Sequence, residues 1–383
     1  MPWPDVQPAD LRGRVRRFFD VELGRALAGV EEPLARARTW RAALYDAGLA
    51  GLGYGVDVGG HGGGPAEVAA YREESRGRVP PEEAFFGIGV GMALPVVRDL
   101  GRLELKRRFL RPGLRGEEIW CQLYSEPGAG SDLASLSTRA DLDGDEWVVT
   151  GQKVWTSGAQ SSQLAILLAR TDTEAPKHRG ITMFILPMEQ AGVTVRPLRQ
   201  MTGNSEFNEV YLDGARLPRN WVIGEVNRGW RPAVALLAHE RVATGTGSIA
   251  RSDTERAKAG RMPIPVRQLV ELASDRGRSC DPLVRQELAR LYTGEKVMGW
   301  LGGSGAHPSI GKLWRTRQGR TAANLAHRLA LGGGAAWSSS DSERDYFAYH
   351  VLNCRGMSIG GGTDEMQRST LAEKVLGMPR GPT

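Results

Sequence analysis

Apolar residues recur at three- and four-residue spacings from Val6 to about Glu117, most clearly over 11–27 and 34–47, which predicts amphipathic helices. Pro80-Pro81 and Pro112-Gly113 punctuate this region as turns. The glycine run 59–64 lacks a Lys-Ser/Thr pair and a preceding strand, so it reads as a loop and not as a phosphate cradle. From Ile119 to about Ile223 the pattern shortens to apolar runs at 120–124, 147–150, Leu164–Arg170, 182–187 and 193–196. Gly-bearing turns separate them, as in an antiparallel β domain. Within it, Glu146–Ser157 (EWVVTGQKVWTS) reads as two strands joined across Thr150 to Lys153, a hairpin. Helical patterns return beyond Gly229, at 230–249, 283–300, 310–331 and 366–376. The expected fold is α+β, mainly α, in three parts: an N-terminal helical domain over 1–117, a β domain over 118–226 and a C-terminal helical domain over 227–383.

Composition narrows the function classes. A chain of 383 residues with 41% hydrophobic and 25% charged positions is a soluble globular protein of two or three domains. It has no run near 18 apolar residues and no signal-peptide core at its start, so a cytoplasmic protein without membrane spans is expected. Cys121, Cys280 and Cys354 are too scattered for a disulfide framework or a zinc site, and no metal is expected. The net charge of +6 comes from seven lysines and 43 arginines against 44 acids. The arginines are spread along the chain and not gathered on one motif, which argues against nucleic acid and points weakly to a small acidic ligand.

Chemistry enters with three ordered stretches. In 120–132 (WCQLYSEPGAGSD) a strand ends at Ser125, and Gly128, Ala129 and Gly130 let the backbone approach a ligand, with Ser131 adding a hydroxyl. Alone, that stretch is more simply a strand followed by a Pro-Gly turn. The second stretch, 150–158 (TGQKVWTSG), sets an aromatic beside two hydroxyls. Such a Trp can cover one face of a flat conjugated ring while hydroxyls and amides bond its heteroatoms. The third, 199–213 (RQMTGNSEFNEVYLD), completes the set.

Together with the near-terminal GGTDEMQRSTLAEKVLGMPR, these stretches closely resemble the acyl-CoA dehydrogenase family of flavoproteins, over about residues 10–380. The resemblance implies a helical N-terminal domain, a central β-barrel and a C-terminal four-helix bundle, with FAD between barrel and bundle. By motif match Gln122, Leu123, Ser125, Trp155, Thr156 and Ser157 are the implied flavin contacts, and Thr363 and Glu365 match tail positions that line the FAD. Ser131 matches the contact to the pantetheine or phosphate part of CoA. The implied reaction is α,β-dehydrogenation of an acyl-CoA thioester: a carboxylate takes the α proton while the β hydrogen leaves as hydride to the flavin. Electron-transfer flavoprotein is the implied acceptor, although an oxidase on the same fold is an alternative that these motifs do not separate.

Many family members carry the base two residues before the Thr of the tail motif. Here that position is Gly361, which has no side chain to act as a base but whose backbone N–H can still donate to the thioester carbonyl. Other members carry the base on the first long C-terminal helix, where this chain reads LLAHERVATG and Glu240 occupies the matching position. Independently, Ala233, Leu236, Glu240, Ala243 and Gly247 form one helical stripe. A Glu among small apolar residues is an odd choice for a solvated face, and desolvation would suit it to proton abstraction. The plainer alternative is a structural pair with an Arg. Arg241 lies about 100° further round the helix and is assigned to substrate positioning or to structure. With the base on the helix, a roomier cavity and a preference for branched or ring-bearing acyl groups are expected.

Two departures from the family pattern bear on assembly. The Arg-Phe-Gly-type motif that reaches a neighbour's FAD in many homotetramers is missing from 250–280, and the Gln-x-x-Gly-Gly stretch appears at 329–333 without its Gln. Three arrangements follow: a homo-oligomer (dimer or tetramer), an α2β2 heterotetramer whose second acyl-CoA dehydrogenase-like chain completes the FAD site, or a non-catalytic subunit of such a pair. Glu240 and the intact Trp155-Thr156-Ser157 argue against the last.

Overall fold

The computed structural model describes residues 8–245, 263–301, 304–330 and 342–380. The chain divides into two compact units, Met1–Glu240 and Arg241–Thr383.

The first unit begins with helices. α1 (Pro8–Arg17) continues through a π-helical turn, Phe18–Glu22, into α2 (Leu23–Ala26). α3 (Pro33–Asp46) starts where Glu32 accepts hydrogen bonds from the Leu34 and Ala35 amides, with Pro33 supplying a first position that needs no N–H. α4 (Pro65–Glu74), α5 (Leu94–Leu100) and α6 (Leu103–Arg115) follow. The glycine run 59–64 is a loop between α3 and α4, as its sequence suggests. α6 buries Leu105, Phe109, Leu110 and Leu114 at helical spacing and stops at Gly116, whose φ of 82° is left-handed.

Eight strands succeed them: β1 (Trp120–Leu123), β2 (Arg139–Asp143), β3 (Glu146–Ser157), β4 (Leu164–Arg170), β5 (Ile181–Pro187), β6 (Val193–Leu198), β7 (Phe207–Pro218) and β8 (Val222–Ile223). They form one sheet in the order β6-β7-β3-β2-β4-β5-β8, with β1 parallel to β4. One face of these strands shares a single core that includes Leu123, Trp147, Val149, Leu167, Phe184 and Leu212. On the other face Leu164, Ile166 and Leu168 of β4 pack with Phe109 of α6 and with Leu236 of α7 (Trp230–Gly245). Burial on both faces explains why β4 and β5 read as unbroken apolar runs.

The hairpin expected within Glu146–Ser157 is not formed. β3 is one strand of 12 residues, paired along its length with β7. Gly151 serves a close approach and not a turn, because a Cβ there would lie 2.4 Å from Thr138 Oγ1. The irregularity in the pattern arises from register shifts at Val149/Thr150 and Lys153/Thr156.

In the second unit α8 (Val266–Asp275), α9 (Pro282–Leu301), α10 (Pro308–Leu329) and α11 (Ser342–Met357) enclose a core of Leu269, Leu272, Leu291, Leu325, Leu329 and Phe347. α12 (Asp364–Thr370) and a π-helical turn, Leu371–Val375, follow. The architecture is thus helical, then β, then helical, as the periodicity predicts. Among the described residues, no helix is long and apolar enough to cross a membrane.

Candidate active site

A buried ion pair ties β3 to the turn that follows β1. Lys153 of β3 donates to Glu126 Oε1 at 2.8 Å and to the Tyr124 carbonyl at 3.0 Å. Glu126 also accepts from the Ser137 amide at 2.7 Å, the Ser137 hydroxyl at 2.8 Å and the Thr138 amide at 2.9 Å. Burial pushes the Glu126 carboxyl up, but the Lys153 charge and these donors outweigh it and hold the group at about 2. The Val154 amide bonds the Ser125 carbonyl at 2.9 Å, and Glu126 and Ala129 exchange two backbone bonds around Pro127-Gly128. The small residues of the GAGS segment are therefore held in a tight turn beside the end of β3.

Beyond Lys153 the pairing of β3 with β7 slips at an irregularity and resumes at Thr156. Trp155 has φ 61°, in the left-handed region, and its side chain is 56% exposed, braced edge-on by Phe207 at 5.9 Å. A bulky residue held there stores roughly 1–3 kcal/mol of strain. Thr156 is buried, and its hydroxyl has no hydrogen-bond partner among the described residues. Asn208 of β7 fixes the same end of β3, donating to the Thr156 carbonyl at 3.0 Å and to Gln160 at 2.6 Å. Gln122, Ser125 and Ser157 are half-buried near these groups in the chain. Leu123 points into the β core, so only its main chain is available to a ligand. Ser131 is exposed, and Asp132 after it pairs with Lys177 at 2.9 Å, tying the β4–β5 loop to the turn.

On α7 the predicted stripe is formed as far as it is described. Ala233 and Leu236 are fully buried against β1, β4 and β5, and Glu240 one turn further is half-buried. The side chains of Arg241 and Ala243 and all of Gly247 lie outside the described residues. His239 turns to another side, with Nε2 3.8 Å from Asp99 Oδ2 on α5, and burial lowers its proton affinity.

In the second unit the tail motif is anchored to α10. Asp364 is buried and accepts from Lys312 at 2.8 Å and from Thr316 at 3.0 Å, while Gln367 joins Ser309 at 2.6 Å to the Gly361 carbonyl at 2.9 Å. Gly361 and Gly362 are both left-handed, with φ 68° and 80°. Thr363 caps α12 by accepting from the Met366 amide, and Glu365 is exposed beside Arg368. Of the two segments that depart from the family pattern, 250–262 and 331–333 lie outside the described residues. Among the described residues there is no group of three His, Cys, Asp or Glu that would hold a metal.

Sequence reasoning singled out Trp155, Thr156 and Glu240 but passed over Lys153, Glu126 and Tyr124. A lysine in a strand facing a glutamate in a Gly-rich turn was the available signal for the first two, since neither type is buried without a partner.

Comparison with known proteins agrees with this layout. The N-terminal, middle and C-terminal acyl-CoA dehydrogenase domain models match residues 7–117, 121–215 and 227–376. Acyl-CoA dehydrogenase IpdE1 of Mycobacterium tuberculosis is 38% identical over 91% of this chain and 90% of its own length. Among solved structures, the Tcur3481-Tcur3483 steroid ACAD is 28% identical, with a TM-score of 0.73 over 98% of each chain. The ChsE4-ChsE5 complex from Mycobacterium tuberculosis is 27% identical, with a TM-score of 0.73 over 100% of each chain. Matched in all three of its parts, the chain belongs to the acyl-CoA dehydrogenase family, whose members are oxidoreductases that use FAD.

Proposed function

We propose that this chain catalyses FAD-dependent α,β-dehydrogenation of an acyl-CoA thioester, with Glu240 abstracting the α proton. The observation that carries the reading is the pair Trp155 and Thr156: a strained, exposed indole beside a buried hydroxyl lacking a partner. That pair fits a flat, heteroatom-rich ring, which gains an aromatic cover and a hydrogen bond. Gln122, Ser125 and Ser157, the main chain of Leu123, and Thr363 and Glu365 of the tail would hold the cofactor. FAD, when bound, supplies the acceptor for the hydrogen leaving the β carbon. Ser131 and the turn around it receive the CoA portion. Glu240, half-buried on an apolar stripe, holds the α proton after abstraction, and the Gly361 amide supports the thioester oxygen as charge develops there. Electron-transfer flavoprotein is the expected acceptor.

The deciding experiment replaces Glu240 with Gln, which keeps shape but removes the base. Flavin content and acyl-CoA binding persist, while flavin bleaching slows by about 10²–10⁴-fold, the usual contribution of a general base. Normal bleaching by Glu240→Gln together with failure of Glu365→Gln would move the base to the tail.

A heteromeric assembly is the second reading. The absent Arg-Phe-Gly and Gln elements favour it, as does likeness to the Tcur3481-Tcur3483 and ChsE4-ChsE5 structures. In that case the chain expressed alone holds less than one FAD per chain. Isolation of a homotetramer with one tightly bound FAD per chain, active without a partner, excludes it. On either reading branched or ring-bearing acyl-CoAs exceed butyryl-CoA in kcat/KM, a ranking that a substrate panel tests directly.

A further inference from the structure

Along β1 and into the residue after it the side chains alternate: Cys121 and Leu123 enter the β core, whereas Trp120 and Tyr124 face the helices. There they share one apolar cluster with Ala233 and Leu236 of α7. Leu236 stands four residues before Glu240, on the same face of that helix. The Tyr124 side chain is 4% exposed, and its hydroxyl is buried with no hydrogen-bond partner among the described residues. Its main chain is fixed by Lys153, which bonds the Tyr124 carbonyl at 3.0 Å. Burial, and then the negative charge of Glu240, keep the phenol well above its usual value, so it is a neutral donor at any working pH. A buried hydroxyl without a partner calls for one, and Glu240 is the charged group that acts on it.

We propose that the Tyr124 hydroxyl is the donor that sets the carboxylate of Glu240, making Tyr124 a positioning residue for the base; this rests on the base assignment made above. Among the described residues, the other titratable and charged groups near this turn are His239 on α7 itself and, from α5, Asp99, 3.8 Å from His239, and Arg98, bonded to Asp99 at 2.7 Å, whereas Tyr124 approaches from the end of β1; the side chain of Arg241 lies outside the described residues.

Tyr124→Phe keeps the ring and removes the donor. A hydrogen bond to a carboxylate favours its ionised form, so the loss raises the proton affinity of Glu240. The acid limb of the rate of flavin bleaching against pH then moves up by about one pH unit, with KM unchanged. Coupling is also read without turnover, in protein carrying ¹³C at tyrosine Cζ. The Tyr124 resonance, assigned by its absence from Tyr124→Phe, follows the titration of Glu240 and ceases to do so in Glu240→Gln. An unmoved acid limb together with a resonance indifferent to Glu240→Gln overturns the inference. So does an effect of Tyr124→Phe confined to KM for one acyl group, which would assign the hydroxyl to the substrate. Where Tyr124→Phe loses flavin, the resonance comparison alone decides. Failure of the base assignment is read separately, as normal bleaching by Glu240→Gln.

Discussion

The ammonium of Lys153 lies 2.8 Å from Glu126 Oε1, and both side chains are almost wholly out of solvent, at 0% and 4%. The pair joins the end of β3 to the turn after β1, which carry the two motifs assigned to the flavin. A buried ion pair is weak evidence for stability in itself, because desolvation opposes the attraction. Here it fixes geometry, since Glu126 accepts from Ser137 and Thr138 on its other lone pairs and so gathers three segments at one carboxylate.

Removing one partner leaves the other charge buried and uncompensated. Lys153→Met is expected to destabilise the first unit by about 3–5 kcal/mol, measured by urea unfolding. Adding Glu126→Gln to it recovers part of the loss, so the two changes are less than additive. Strict additivity would mean that the contact carries no coupling.

The same pair predicts an acid response. The Glu126 carboxyl is held at about 2 against its ordinary 4.5, so its contribution is complete above pH 4.5 and is lost as pH falls towards 2. The stability gap between the wild-type chain and Glu126→Gln should therefore close across that window. A gap that stays constant from pH 5 to 2.5 would show that the carboxyl is not depressed in the folded state.

Much of the architecture was legible because it depends on period. The apolar stripe of α6 and the unbroken runs of β4 and β5 declare themselves in any window. β3 did not, because Gly151 and Lys153 look like turn residues in a list. Their reasons are tertiary: one admits Thr138 and the other meets Glu126, 27 positions earlier in the chain. β2 (RADLD) was missed for a related reason, since only Ala140 of its five side chains is buried. Of the site, residue types were readable but conformations were not. Nothing local announces the left-handed backbone of Trp155 or the unpartnered hydroxyls of Thr156 and Tyr124.

Trp155 separates stability from cofactor retention. Glycine adopts a left-handed backbone freely, so Trp155→Gly releases strain while losing the contact with Phe207. These effects oppose each other, and the apoprotein should change by no more than about 1 kcal/mol in thermal unfolding. Flavin retention should fall sharply, seen as free flavin fluorescence after gel filtration. A variant that retains flavin like the parent would remove the indole from the cofactor site.

The tail glycine tests the proposed placement of the base on α7. Gly361 is left-handed at φ 68°, and its carbonyl is held by Gln367, itself bonded to Ser309 of α10. An L side chain at that backbone costs roughly 1–2 kcal/mol, and the anchored loop resists rotating away from it. Gly361→Glu should therefore lower stability by about that amount and fail to rescue Glu240→Gln. The readout is flavin bleaching under saturating acyl-CoA, which isolates the proton-transfer step from substrate binding. Bleaching by the double variant within tenfold of the wild-type rate would show that the loop can present a carboxylate to the α carbon. Position 361 would then be a second workable location for the base, and the helix would not be the one place this backbone permits.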